Sequence, residues 1–217
     1  MTESFPRQSA ATRHFQLGAP RSFHILNDGS GVLFLRSDHG RDPVNSLWVY
    51  DLATKVERKV ADPRTLLAGD QDIPDAEKAR RERMRETTAG ITAYATDDSG
   101  NKVVFALSGQ LFSGEIGTEK FNELDVSGPV IDPRVSPDGQ RIAWSNGKDL
   151  FVCGFTGNNE RNLTNETSES ASWGLADFIA AEEFGRIHGY WWSPASDELI
   201  VERTDETPVQ TWWISEK

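Results

Sequence analysis

The sequence predicts an all-β fold: a partial β-propeller of about four blades, the last one incomplete, with short helical insertions. Three observations carry that expectation. Turns rich in Asp and Gly recur at residues 27–31, 97–100, 136–139 and 193–197. Each leads into a short run of β-branched, aromatic and aliphatic residues of strand length, which is the signal of a hairpin. Asp98 and Asp138 are 40 residues apart, the length of one four-stranded propeller blade.

Residues 1–20 are polar and read as an N-terminal arm, loose or pairing as an edge strand. Residues 21–217 then form the propeller domain. In its first unit a strand at 23–26 leads through the turn to strands at 32–35 and 47–51. The second unit places strands at 102–107 and 110–113, and the third at 141–144 and 149–152. The fourth continues after its turn with 198–201. Asp28 and Asp98 lie 70 residues apart, and Asp138 and Asp197 lie 59 apart, so two of the three intervals contain insertions. Loops inserted into a rigid repeat scaffold are where function is usually carried.

The first insertion, residues 74–86, reads as a helix capped by Asp75, with opposite charges four residues apart at Glu77 and Arg81 and at Lys78 and Glu82. It has no wide apolar stripe and is expected to be solvated on a long link, free to dock on a neighbouring subunit or domain. Its arginines Arg80, Arg81, Arg83 and Arg85 do not suggest nucleic acid in so acidic a chain.

The second insertion holds the candidate site. Asp177 is placed to cap a helix of about two turns over 177–185, and Gly185 to end it. The adjacent carboxylates Glu182 and Glu183 fall in its last turn, where free carbonyls already make the terminus electronegative. Neighbouring carboxylates repel, and a cation between them relieves the repulsion. An ammonium group suits such a site. By residue chemistry alone the pair is more ordinarily a solvated one bonded to Arg186, four and three residues on.

Asp177-Phe-Ile-Ala-Ala-Glu-Glu-Phe, then Gly189-Tyr-Trp-Trp-Ser-Pro, then Thr204-Asp-Glu-Thr-Pro-Val resembles the propeller segment of the dipeptidyl peptidase IV family. The resemblance implies a serine exopeptidase that removes dipeptides from peptide N-termini, preferring Pro or Ala as the second residue. Glu182 and Glu183 would then hold the substrate's free α-amino group. Ala181 stands where the family often has a third Glu, and the arginine that assists substrate binding in some members has no clear counterpart. A full eight-bladed propeller needs on the order of 350 residues and a following α/β-hydrolase domain about 250 more. The expectation is therefore an N-terminal portion whose partner is that absent domain. A scaffold propeller with no peptidase attached, and an acylaminoacyl or endo-type relative that needs no free amine, are the alternatives.

The rest of the composition fits. The 34 acidic and 23 basic residues give a net charge of −11, which opposes nucleic acid and anionic membrane and favours cationic ligands. No apolar stretch reaches 18 residues, and the start carries no signal-peptide pattern, so the expected compartment is the cytoplasm. Cys153 is the single cysteine and lies in an apolar strand, as a structural thiol would. Gly-x-Ser-x-Gly is absent, and the four histidines have no triad arrangement around them, so no catalytic residue is assigned. Neither a metal-ligand cluster nor a phosphate loop is evident, and no cofactor is implied. Tyr190, Trp191 and Trp192 are expected to pack in the core, and Trp212 and Trp213 to form a buried strand. Exposed terminal blades predict a homo-oligomer.

Overall fold

A computed structural model describes residues 3–67, 73–210 and 212. The chain opens not with a strand or loose arm but with helix α1 (Phe5–Ala11), started by Pro6 in its first turn, where the missing amide costs nothing. It buries no residue, which is why no apolar stripe announced it.

The first sheet contains β1 (Arg21–Ile25), β2 (Gly31–Ser37), β3 (Val44–Asp51) and β4 (Val56–Ala61) in sequential antiparallel order. After β4 come α2 (Pro63–Leu66) and α3 (Asp75–Arg83), and then β5 (Ala89–Gly90) returns to pair parallel with the start of β3. The second sheet is β6 (Ala95–Thr96), β7 (Lys102–Leu107), β8 (Gln110–Glu115) and β9 (Lys120–Leu124). The third is β10 (Ile131–Val135), β11 (Arg141–Ser145), β12 (Leu150–Gly154) and β13 (Arg161–Asn162). Both repeat the sequential order.

The fourth unit is split. The strands β15 (Tyr190–Trp192) and β16 (Leu199–Val201) form one hairpin, and β14 (Ala171–Trp173) pairs with β17 (Arg203–Asp205) as a second two-stranded sheet. Between β14 and β15 lies α4 (Phe178–Glu183).

The sheets pack face to face as propeller blades do, and side-chain alternation makes this possible. On β7, Val103, Phe105 and Leu107 join the core shared with the first sheet, while Val104 turns to the third. On β11, Ile142 and Trp144 face the second sheet and Ala143 faces Tyr190 of the fourth. A strand buried on both faces reads as a continuous apolar run, as these do. The repeated turns also touch one another. The Asn27 amide donates to Ser99 O (3.4 Å), that of Asp98 to Pro137 O (3.0 Å), and that of Asp138 to Ser196 Oγ (3.0 Å). Equivalent positions of successive blades are thus bonded in series.

Two further expectations need correction. Trp191 is 39% exposed, because alternation on β15 turns it away from the core face that Tyr190 occupies. Trp212 is 83% exposed rather than in a buried strand, and Trp213 lies outside the described residues.

Candidate functional site

Helix α4 has only six residues, too few to be stable without help. Asp177 supplies the start, its Oδ1 accepting from the Ala180 amide at 2.9 Å. That hydrogen bond, outweighing some burial, holds the Asp177 carboxyl below its usual value. Phe184 closes the helix, and Gly185 follows with a left-handed φ of +64°. The Arg186 amide then donates back to Ala180 O at 2.9 Å.

Glu182 is half-buried and Glu183 exposed on the last turn, one helical step apart. Among the described residues neither carboxylate makes a hydrogen bond or an ion pair. Arg186 does not pair with them. Its guanidinium bonds Glu202, lies 3.4 Å from Asp177 Oδ2, and donates to His188 O at 2.9 Å. The cation nearest in sequence is occupied elsewhere, and both carboxylates keep their acceptor sites open. Such a pair can take an ammonium group through charge-assisted hydrogen bonds.

The first insertion is not a solvated arm. Glu77 and Arg81 are only 4% and 8% exposed, with Arg81 Nε 2.9 Å from Glu77 Oε1. The expected partner of Glu82 instead turns back, placing Lys78 Nζ 3.0 Å from Asp75. Asp75 is inside the helix, and Pro74 holds the cap position with no side-chain cap bond. Burial by ion pairs rather than by an apolar stripe explains why periodicity gave no sign of it. Helix α3 lies against α4, with the Arg83 guanidinium 5.8 Å from the centre of the Phe178 ring. Between the two helices is a cleft of about 240 Å³, lined in part by Arg80, Arg83, Asp177 and Ala181. Ala181, the residue just before the Glu182–Glu183 pair, therefore opens onto this cleft.

Behind the cleft is a polar centre that sequence reasoning missed. Asp132, on β10, has His188 Nδ1 at 2.8 Å, Arg80 Nη2 at 3.5 Å and Arg134 Nε at 3.5 Å from its carboxylate. Burial pushes the Asp132 carboxyl up, but the His188 bond and the two arginine charges outweigh it and leave it below the usual value. The Tyr190 hydroxyl lies 2.5 Å from Asp132 O and 2.7 Å from Ala143 O. No group of three or more His, Cys, Asp or Glu able to hold a metal occurs among the described residues, and no helix among them is long and apolar enough to cross a membrane.

Residues 93–217 match the family described as the dipeptidyl peptidase IV (DPP IV) N-terminal region. The chain is 30% identical over 161 residues to dipeptidyl peptidase 8 of Homo sapiens, covering 62% of this chain and 18% of that protein. It is 33% identical over 91 residues to a probable dipeptidyl peptidase 4 of Neosartorya fischeri, covering 42% of this chain and 12% of that one. The crystal structure of Porphyromonas gingivalis dipeptidyl peptidase 4 matches with a TM-score of 0.62 at 18% identity, over 97% of this chain and 28% of that chain. The chain thus spans less than a third of the length of each of these proteins.

Proposed function

Because this chain belongs to the dipeptidyl peptidase IV N-terminal-region family, we propose that it is the substrate-gating propeller portion of a serine-type exopeptidase that releases dipeptides, with Pro or Ala favoured at the second position. Glu182 and Glu183 hold the free α-amino group of the peptide and so measure two residues to the bond that breaks. The observation that supports this most is the open pair itself, half-buried Glu182 beside exposed Glu183, with Arg186 drawn off to Asp177 and Glu202. The pair contributes orientation, and the nucleophile comes from an α/β-hydrolase domain that follows in the whole protein.

The test is made in the whole peptidase with an unblocked dipeptidyl chromogenic substrate. Glu182→Gln and Glu183→Gln should each lower kcat/KM by about 10- to 100-fold, the worth of a hydrogen bond to a charged group. Unchanged kinetics, together with cleavage of an N-acetylated substrate, would instead identify an acylaminoacyl or endo-type relative. The 217-residue chain alone should release no chromophore.

A further inference from the structure

Asp132 occupies an unusual backbone position. It has a left-handed φ of +50°, and the pairing of β10 with β11 shifts register between Ile131 and Arg134. A bulge of this kind re-aims a side chain, and a non-glycine residue held in that region is a place to look for function. The carboxylate so aimed is 7% exposed and meets two guanidiniums and an imidazole from three parts of the fold. Arg80 comes from α3, Arg134 from β10 itself, and His188 from the segment joining α4 to β15. Buried Arg80 Nε and Nη2 and Arg134 Nε have no hydrogen-bond partner. Arg80 also reaches Glu77 Oε2 at 3.4 Å within α3, but Asp132 is the carboxylate that links Arg80 to a residue outside its own helix, and without its charge that link is lost.

We propose that Asp132 is a positioning residue: by drawing Arg80 and His188 to one buried carboxylate it sets α3 against α4, and with them the place of the Glu182–Glu183 pair. The inference rests on the amine-binding reading of that pair and adds to it the residue that fixes its location. Asp132 touches no substrate. His188 follows α4 by five residues, and the intervening Arg186 ties the helix end to Asp177, so the helix is held at both ends. On the other side, Arg80 stands one turn before Arg83, whose guanidinium lies over Phe178 of α4. The carboxylate thus reaches α4 by two separate routes.

Two measurements test this with Asp132→Asn, which keeps the side-chain volume and one oxygen but removes the charge. In the 217-residue chain, amide exchange at Ala181 and Arg186 should rise at least about tenfold while that of β11 stays unchanged, since local opening need not involve the core strands. In the whole peptidase, KM for an unblocked dipeptidyl substrate should rise by roughly tenfold with kcat changed by less than about threefold, as expected for a displaced binding group. The substitution should add nothing further in a Glu182→Gln, Glu183→Gln background. Unchanged exchange at Ala181, or a fall in kcat at constant KM, would overturn the inference. Should Asp132→Asn fail to fold, His188→Gln, at a half-buried position, carries the same test and is overturned by the same results. If the two Glu→Gln variants leave KM unchanged, the amine reading fails by itself, and exchange at Ala181 still decides whether Asp132 holds α4.

Discussion

The Arg186 guanidinium lies 3.4 Å from the carboxylate of Asp177, so a residue three positions past the end of α4 is tied to the residue that caps its start. The same guanidinium bonds Glu202, the residue between β16 and β17. A helix of six residues is thereby closed on itself and fastened to its blade. Arg186→Ala should lower the stability of the chain by about 1 kcal/mol, a charged hydrogen bond discounted for partial exposure. Chemical denaturation of the two proteins side by side measures it, and an unchanged midpoint would show that α4 stands without this clasp.

Tyr190→Phe removes, at a fully buried position, a hydroxyl whose single proton is placed between the carbonyls of Asp132 and Ala143. The expected cost is about 1–3 kcal/mol, that of a buried carbonyl left without its donor, with no cavity to add to it. Thermal unfolding reads this, and a variant as stable as the parent would mean that water or a shift of β15 replaces the lost donor.

Glu166 gives a pH dependence. Hydrogen bonds from Arg203 and from the Ser168 amide, opposed by slight desolvation and helped by Trp173, hold its carboxyl down to about 2 from an ordinary 4.5. A depressed carboxylate stabilises the fold fully above its unfolded value, loses that contribution as pH falls from 4.5, and has lost it below about 2. The protection factors of amides in β14 and β17, which correct exchange for its own pH dependence, should be flat from neutral pH to about 5 and then fall. Glu166→Gln should abolish that fall.

The Cys153 thiol is pushed up to about 12, chiefly by burial and secondarily by Glu160. Thiolate is the reactive form, so the folded chain should resist alkylation at pH 8 and react once denatured. Rapid modification of the native protein, followed by mass spectrometry, would contradict the packing of Cys153 among Ile142, Trp144 and Phe151.

Phe23 and Ile25 on β1 are exposed, as are Trp191 on β15 and Ile200 on β16. Apolar side chains at the two outer sheets invite pairing with a further sheet or a second chain. The 217-residue chain should therefore associate, and light scattering across a range of concentrations should give a mass of at least a dimer. A monomer throughout would count against it.

In the first three blades β1, β2, β3, β7, β8, β11 and β12 were legible because their determinants are local, whereas β4, β6, β9, β10 and β13 were not read. An Asp accepts from its own turn, as Asp97 does from Lys102 N at 3.0 Å and Asp138 from Ser136 Oγ at 2.6 Å, and a glycine takes the left-handed position, as Gly100 and Gly139 do. Asp177 and Gly185 made α4 readable in the same way. The burial of α3 was not legible, since it rests on Glu77–Arg81 and Arg80–Asp132 ion pairs rather than on apolar periodicity. Nor was Asp132, whose partner His188 is 56 residues away and whose φ follows from a bulge that no residue type announces.

The contact of Arg83 with Phe178 joins a segment that links the first and second blades to one inserted in the fourth. Neither segment is a free-standing module. A chimaera that borrows one of them from a relative would bring a surface shaped for a different counterpart, so the two are best exchanged together, with Asp132 and His188 as the joint on which both turn.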